Sequence, residues 1–341
     1  MIEEYVRLLA TKRLENDSTE FIESTYNALV SAIGYLVSTY KTPNNSVAII
    51  LLDSTISETE EGANEGGVGK SLFCKIFEYF RNIVKIDGRK FRAESDTNLS
   101  LIENNTNIVL IDDAHHNFNF SNFFNSITND LSCRKLFNNT KVIPFMNSPK
   151  FIFTTNSVIG NDDSSTNRRK LEIEINNYFS KDYQPSDHFK TILFNWEEED
   201  PEWSRLDDFI RDCIQYYKTN GLVKPLTINV DKKRLEQKTS KEFVEFAEKY
   251  LKPDVIYKAQ SILERYNNIT NNYITLTLMT RWLKYWVQKY KKYYYFEEYI
   301  KKYDNMKVFV ISKDKDKNLK YHKNTKDYKD LSKNKKLFKY N

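Results

Sequence analysis

The sequence predicts an α/β fold with a mainly parallel β-sheet. Four apolar runs have the length and composition of strands that are buried on both faces: 46–52, 83–86, 108–111 and 151–153. Segments long enough to form helices separate these runs, an order that places helices on both faces of a parallel sheet. The chain is also 40% hydrophobic and 14% aromatic, which provides enough apolar surface for a core.

The positive charge of the chain is concentrated near its C-terminus. Residues 281–341 contain 19 Lys or Arg against 7 Asp or Glu, a net charge of +12, so the first 280 residues carry −7. A basic end on an acidic body is common in proteins that contact nucleic acid. Residues 281–295 also interleave aromatic and basic side chains, which could stack bases beside phosphates. The helical spacing of Trp282, Leu283 and Trp286 favours a buried apolar face with lysines outside.

Helical patterns flank the predicted sheet. Residues 3–40 carry apolar positions at helical spacing with a break near Asp17, and residues 171–175 alternate as a half-exposed edge strand does. We therefore expect an N-terminal helical segment that is a candidate for oligomerisation (1–45), an α/β core (46–220), a helical region for which a winged-helix DNA-binding domain is one alternative (221–312), and a basic tail that disorder would also explain (313–341).

The three cysteines, Cys74, Cys133 and Cys213, are too widely spaced for a zinc site or a disulfide framework, and buried thiols are expected. His115 and His116 have no further His or Cys at ligand spacing, which favours hydrogen-bonding histidines over metal ligands. No apolar run approaches the length of a membrane span and no signal pattern is present, so we expect a soluble protein of the cytoplasm.

A cluster of glycines follows the first predicted strand. Four of the eight glycines lie between Gly62 and Gly69, and Lys70-Ser71 then opens an amphipathic helix. This context indicates a P-loop, in which backbone N–H groups bind phosphates, the lysine reaches the β and γ oxygens and the hydroxyl holds Mg²⁺. The consensus begins with Gly where this chain has Asn64, a residue that also tolerates positive φ. We predict that ATP and Mg²⁺ bind along Asn64, Glu65, Gly66, Gly67, Val68, Gly69, Lys70, Ser71 and Leu72.

Two later strands end in polar residues. The run 108–111 leads into Asp112 and Asp113 about forty residues after the P-loop. In a P-loop protein the first acid commonly holds magnesium and the second orients or deprotonates the attacking water. The run 151–153 leads into Thr154, Thr155 and Asn156 after another forty residues. The P-loop and the acidic pair predict a P-loop NTPase core.

These motifs resemble those of the superfamily 3 helicases, in particular the primase-helicases of phages, plasmids and poxviruses. The resemblance covers roughly residues 46–215 and includes the run 127–135, Lys141, the run 149–156 and the run 164–169. It implies an AAA+-like core, a hexameric ring and ATP hydrolysis at subunit interfaces. It further implies that Asn156 senses the γ-phosphate and that Arg168 or Arg169 is an arginine finger for the neighbouring subunit.

The resemblance also implies a hairpin that grips DNA in the central channel of the ring. Residues 131–137 and 140–145 are β-prone and are joined by two Asn residues that suit a tight turn. Near the tip, Arg134, Lys135 and Lys141 would contact phosphates without reading bases. An ordinary surface hairpin with solvated lysines is the alternative.

The sequence thus favours an ATP-dependent DNA helicase that acts in the replication of a virus, phage or mobile element. Because the first 45 residues cannot hold a primase, any primase partner is expected to be a separate chain. An ATP-dependent initiator or loader that remodels an origin without processive unwinding is the main alternative. A scaffold that binds nucleotide without turnover is a third, and an intact Asp113 and the two arginines speak against it.

Overall fold

The computed structural model describes residues 1–14, 16–54, 67–91, 99–115, 118–133, 141–160, 163–226, 228–300 and 306–317. The chain divides into two compact units, Met1–Val230 and Asp231–Asn341. No helix within the described ranges combines the length and hydrophobicity that crossing a bilayer requires.

The first unit contains nine short strands and seven complete helices among its described residues. In chain order these are α1 (Ile2–Leu9), β1 (Thr11–Arg13), β2 (Thr19–Phe21), α2 (Glu23–Val37), β3 (Ala48–Asp53), α3 (Lys70–Lys75), β4 (Ile83–Asp87), β5 (Ile108–Asp112), α4 (Phe124–Thr128), β6 (Leu131–Cys133), β7 (Lys141–Ile143), β8 (Lys150–Thr155), α5 (Ser164–Asn167), β9 (Lys170–Ile175), α6 (Pro185–Phe189) and α7 (Pro201–Asn220). Helix α8 (Ile228–Lys238) includes the boundary between the units.

A five-stranded sheet forms the centre of this unit. Its strand order is β4-β5-β8-β3-β9, and every neighbouring pair is parallel. The predicted α/β fold with a mainly parallel sheet is therefore confirmed, and the four apolar runs correspond to β3, β4, β5 and β8. Strand β4 differs from the prediction in one respect: it lies at an edge and is only partly buried.

Both faces of the sheet are covered, which explains why β3 and β8 are buried at every position. Ile49 and Leu51 of β3 belong to the core shared with α1, α2, α3 and α7. Ile50 and Leu52 point to the opposite face and belong to a core that includes the phenylalanine-rich turn Phe120–Phe123 and α4. All three cysteines are free and buried, as predicted.

The N-terminal segment is part of the same unit as the sheet. Two helices were predicted there, and both form, but the residues between them make the antiparallel hairpin β1–β2. Strands of three residues are too short to show a period, and Asp17, with φ of 60°, lies in the turn. Helix α2 packs closely on α7 at Gly34, where an added Cβ would lie 2.7 Å from the Cβ of Tyr217.

Strand β9 lies at the sheet edge, as expected, but the prediction that one face is half-exposed is wrong. Five of its six residues are buried. Its acidic face is covered because Glu174 accepts a hydrogen bond from the backbone N of Val230 at 2.7 Å, while Glu172 pairs with the buried Lys170 at 2.7 Å. Alternating carboxylates therefore mark internal polar contacts here rather than solvent exposure.

The second unit combines helices with a three-stranded antiparallel sheet. Its elements after α8 are α9 (Lys241–Tyr250), β10 (Ile256–Lys258), α10 (Ala259–Thr270), α11 (Leu276–Tyr285), a π-helical turn (Trp286–Tyr290), β11 (Tyr294–Ile300) and β12 (Met306–Ser312). The sheet order is β10-β12-β11. Trp282, Leu283 and Trp286 are buried and Lys289 is exposed, which confirms the predicted inward apolar face.

Candidate active site

The glycine cluster forms a turn between β3 and α3. Gly67 and Gly69 both have positive φ, 118° and 100°, and α3 begins at Lys70. Positive φ is readily adopted by glycine because it lacks a Cβ. At Gly69 a Cβ would also lie 2.6 Å from the hydroxyl of Tyr5. Glycine is therefore required at this position for two separate reasons. Asn64, Glu65 and Gly66 of the predicted loop lie outside the described residues.

Helix α1 supports this turn through a hydrogen bond from a buried tyrosine. The Tyr5 hydroxyl donates to the carbonyl oxygen of Gly69 at 2.6 Å, and the same carbonyl accepts from the backbone N of Phe73 at 2.9 Å. Burial raises the pKa of Tyr5 well above its usual value, so the phenol keeps its proton and remains a donor. The N-terminal segment thus fixes the start of α3.

The turn brings Lys70 to the carboxyl end of β8. Its Nζ donates to the carbonyl oxygen of Thr155 at 2.9 Å and contacts Oδ1 of Asn156. The register of the sheet explains this meeting, since β3 and β8 are paired in parallel with Leu52 opposite Thr155. Lysine and asparagine that are 86 positions apart in the chain therefore share one site.

Thr154 orients the acidic pair at the end of β5. Its hydroxyl donates to Oδ1 of Asp112 at 2.5 Å and accepts a hydrogen bond from the backbone N of Asp113 at 2.8 Å. The backbone N of Ala114 also donates to the carbonyl oxygen of Thr154 at 2.8 Å. These bonds hold one oxygen of the Asp112 carboxylate and fix the backbone where the strand ends.

Asp113 lies in a backbone conformation that is uncommon for residues other than glycine, with φ of 57°. This turn directs its carboxylate toward Arg89, whose Nη2 lies 2.5 Å from Oδ2 of Asp113. Both side chains are substantially exposed, at 66% for Arg89 and 43% for Asp113. An ion pair in water contributes little to stability, so its partners can exchange for other ligands at small cost.

Together these side chains line a cleft of about 460 Å³ at the carboxyl edge of the sheet. Its lining residues are Gly67, Val68, Gly69, Lys70, Ser71, Leu72, Arg89, Asp112, Asp113, Thr154, Thr155, Asn156, Gln184 and Pro185. The described part of the predicted P-loop, the acidic pair and Asn156 therefore converge. The Ser71 hydroxyl and the Asp112 carboxylate are oxygen donors of the kind that Mg²⁺ takes, usually with one or two carboxylates and the phosphates of a substrate.

The two arginines of the predicted finger lie at the other edge of the sheet. Arg168 follows α5, and the carbonyl oxygen of Arg169 accepts from the backbone N of Ala48 at the start of β3. A strand of six residues spans roughly 20 Å, so this edge is remote from Lys70 of the same chain.

The two arginines differ in their surroundings. Arg169 donates to the carbonyl oxygen of Ser165 at 2.9 Å, and its guanidinium lies 4.7 Å from the ring centre of Phe124. Burial and the neighbouring Arg168 lower the pKa of Arg169. Arg168 is exposed and makes no side-chain hydrogen bond or ion pair within the described part of the chain. Only Arg168 is therefore available to another molecule without breaking an internal contact.

The described residues include the base of the predicted DNA-gripping hairpin. Strands β6 and β7 pair antiparallel with Cys133 opposite Lys141. Arg134 and Lys135 lie outside the described residues, as does His116. Lys141 forms an ion pair with Glu103 at 2.9 Å. Within the described ranges no group of three His, Cys, Asp or Glu side chains is placed to hold a metal ion.

Several residues of the cleft were assigned no role from the sequence, among them Arg89, Thr154, Gln184 and Pro185. Arg89 follows β4, and Thr154 was noted only as part of the polar end of β8. The chain can turn sharply at Gly88, where an added Cβ would lie 2.8 Å from the backbone of Ala114, and this turn carries Arg89 into the cleft. The sequence did contain a signal for Arg89, because it closely follows a predicted strand. The carboxyl ends of parallel strands meet at one edge, where ligands bind in open α/β sheets.

No protein-family model and no curated protein matches the chain. Among solved structures it is similar to one described as "The A form apo structure of NrS-1 C terminal region-CTR". That similarity has a TM-score of 0.40 with 16% identity and covers 89% of this chain and 78% of the other.

The hydrogen bond from Tyr5 generates a first prediction. In Tyr5→Phe we expect hydrogen exchange of the amides of residues 67–75 to accelerate about fivefold, because a buried hydrogen bond contributes roughly 1 kcal/mol. Exchange measured by mass spectrometry tests this. Tyr35→Phe is the matched control, since that buried hydroxyl donates to the backbone of Val47, outside this turn. Equal protection of residues 67–75 in wild type and Tyr5→Phe would contradict the assigned support.

Proposed function

We propose that this chain is a DNA-acting ATPase of the superfamily 3 helicase type, which hydrolyses Mg-ATP in the cleft at the carboxyl edge of its sheet. One observation carries the proposal: Lys70, Asp112, Asp113 and Asn156 converge around a turn with two positive-φ glycines. Phosphate-binding loops use the same combination of inward backbone N–H groups, a helix N-terminus and a lysine. The order of these motifs along the chain, which resembles that of the superfamily 3 helicases, supports the finer assignment.

In this proposal each side chain of the cleft has a separate task. The backbone N–H groups of the turn bind the phosphates, and the ammonium of Lys70 exchanges its oxygen partners on β8 for the β and γ oxygens. Ser71 and Asp112 would hold the magnesium ion, with Asp112 oriented by Thr154. When bound there, the ion would supply neutralisation of charge on the phosphate oxygens.

Asp113 is assigned the task of orienting the attacking water. Its unusual backbone conformation directs the carboxylate into the cleft, and unusual conformations of this kind cluster at functional sites. The ion pair with Arg89 holds the carboxylate beside the cleft. Asn156 contacts Lys70 directly, so its amide loses this partner when the lysine moves to a phosphate.

The position of the arginines supports a site that is completed by a second subunit. Arg168 lies at the amino edge of the sheet, roughly 20 Å from the carboxyl edge, so it would reach an ATP-binding cleft only on a neighbouring chain. A repeated head-to-tail contact forms a closed ring when its rotation closes, and the hexamer that the resemblance implies is such a ring. We assign the finger to Arg168 rather than Arg169, because Arg169 is held by Ser165 and Phe124 of its own chain.

DNA is the proposed polymer substrate. The hairpin β6–β7 is proposed to carry Arg134, Lys135 and Lys141 to the phosphate backbone, and the exposed pair of Lys141 with Glu103 can be exchanged for a phosphate at little cost. In the second unit, α10 and α11 followed by the hairpin β11–β12 fit the winged-helix alternative. An initiator or loader would use the same ATPase site, and displacement of a strand from a forked duplex distinguishes a helicase from it.

The nucleotide site generates the second prediction. Lys70→Ala is expected to reduce ATP hydrolysis at least about 100-fold, because the transition state loses its positive partner. Asp113→Asn is expected to abolish turnover while nucleotide affinity changes little, since only the water loses its partner. Steady-state phosphate release and binding of a fluorescent nucleotide measure the two quantities.

Lys75→Ala is the matched control for the nucleotide site. Lys75 is on the same helix as Lys70 and does not line the cleft. Full hydrolysis by Lys70→Ala would remove the P-loop assignment. Weak nucleotide binding by Asp113→Asn would show that this carboxylate holds the substrate or its magnesium rather than water.

The proposed finger generates the third prediction. Arg168→Ala and Lys70→Ala should each be inactive alone, and mixing them should restore part of the hydrolysis, because some intact arginines then face intact P-loops. Arg169→Lys, which keeps the charge, should retain most of its activity. ATP turnover is measured against mixing ratio, with gel filtration to verify assembly.

A double variant provides the control for subunit exchange. Mixing Arg168→Ala with Lys70→Ala/Arg168→Ala supplies intact P-loops but no intact Arg168, so no activity should return. Wild-type turnover by Arg168→Ala alone would exclude Arg168 as the finger. Assembly and exchange without recovery in the first mixture would exclude action between subunits.

A further inference from the structure

Three basic side chains that the proposed ATPase does not use meet at the amino edge of the sheet. Lys150 begins β8, and its Nζ donates to the carbonyl oxygens of Tyr35 and Ser38 at 2.5 and 2.6 Å. Arg81 precedes β4, and its Nε donates to the carbonyl oxygen of Val37 at 2.7 Å. Both cations therefore bind the C-terminal end of α2, where carbonyl groups lack helical partners and the helix dipole is negative.

Lys41 joins these two from the segment before β3. Its Nζ donates to Oγ of Ser148 at 2.5 Å and to the carbonyl oxygens of Ser148 and Pro149, both at 3.2 Å. Lys41 and Lys150 are both buried, at 4% and 5% exposure. The three residues Lys41, Arg81 and Lys150 are called the cation cluster below.

The cation cluster has no carboxylate within ion-pair distance in the part of the chain that the structure describes. This is unusual, because buried charges are normally paired. Lys170 on the same edge of the sheet provides the contrast, since it is equally buried and pairs with Glu172 at 2.7 Å. Burial lowers the pKa of Lys41 to about 8, and burial with the charges of Lys41 and Arg81 lowers that of Lys150 to about 7. The positive charges of Lys41 and Arg81 thus act on Lys150 with no carboxylate beside them in the described part of the chain.

A pocket of about 220 Å³ opens beside the cluster. Exposed residues at its rim include Asn104, Asn107 and Asn147. Three of the five N–H groups of Arg81 donate to backbone oxygens, which leaves two for a further acceptor. Lys150 likewise has one N–H beyond its two bonds. The volume is below the roughly 300–1,000 Å³ of pockets for drug-sized molecules, so it suits a small anionic group.

We propose that the cation cluster binds a phosphate group, and that this group belongs to the backbone of a bound DNA strand. The pocket adjoins the base of the hairpin, because Asn147 follows β7 closely and the pair of Lys141 with Glu103 joins β7 to the segment that carries Asn104. A strand held by the hairpin would pass the opening of the pocket. The DNA source rests on the proposed function, whereas the phosphate site itself does not.

Asn104→Asp tests the site without removing a cation that supports α2. The substitution adds a carboxylate at the exposed rim, and Asn104 makes no side-chain hydrogen bond to any described residue. Asn195→Asp is the matched control, because it makes the same charge change at an exposed position that does not line the pocket. Two quantities are measured on the full chain without ATP but with excess Mg-ADP to occupy the proposed nucleotide cleft: the affinity for inorganic phosphate, from thermal stabilisation relative to chloride at equal ionic strength, and the affinity for oligo-dT as a function of salt.

We expect Asn104→Asp to lower the affinity for phosphate and the affinity for oligo-dT by about tenfold each, because a carboxylate next to a bound phosphate repels it. The salt slope for DNA should fall by about one, and Asn195→Asp should match wild type in both assays. A lower phosphate affinity with unchanged DNA affinity would support the phosphate site and overturn the proposal that the phosphate belongs to DNA. Absence of phosphate-specific stabilisation in wild type, or equal stabilisation in Asn104→Asp, would overturn the site. Neither outcome depends on ATP hydrolysis, so failure of the ATPase proposal is recognised separately.

Discussion

The parallel pairing of β3 with β8 is the constraint on which the active-site geometry depends. Strand β3 leads into the glycine turn and Lys70, and β8 ends in Thr154 and Thr155, which Asn156 follows. With Leu52 opposite Thr155, the lysine meets the oxygens at the end of β8. Strand β5 pairs with the other side of β8, so Thr154 can orient the acidic pair. A shift of one residue would turn Thr154 to the opposite face of the sheet and break this arrangement.

The sequence predicted the residues of the site better than their contacts. Asp112, Asp113 and Asn156 were recognisable because each follows an apolar run, and Lys70 because it follows a glycine cluster; both are local signals. Arg89 was not recognisable, since its place depends on β4 being the neighbour of β5. The cation cluster was missed for the same reason, as Lys41, Arg81 and Lys150 are far apart in the chain. The hairpin β1–β2 was not predicted because three-residue strands show no period. The exposure of the polar face of β9 was predicted wrongly because the backbone that covers it lies near position 230.

The two edges of the sheet carry different charge arrangements. At the carboxyl edge, cations and carboxylates line an open cleft and can exchange partners at small cost, which in our proposal suits a site that binds and releases a nucleotide. At the amino edge, buried cations are fixed on the carbonyl groups of α2. Such a site is preorganised and would bind an anion without rearranging the core. Arg168 is exposed at this second edge, so in our account the amino edge faces other molecules while the carboxyl edge performs the chemistry.

A structure of the chain with Mg²⁺ and a non-hydrolysable ATP analogue would test the proposed nucleotide site most directly. We predict that Lys70 Nζ leaves Asn156 and lies about 3 Å from β and γ oxygens of the analogue. We also predict that Ser71 and Asp112 lie next to the Mg²⁺ ion, with Thr154 still bound to Asp112. An analogue bound elsewhere, or a Lys70 that stays on β8 while the nucleotide fills the cleft, would contradict the central claim.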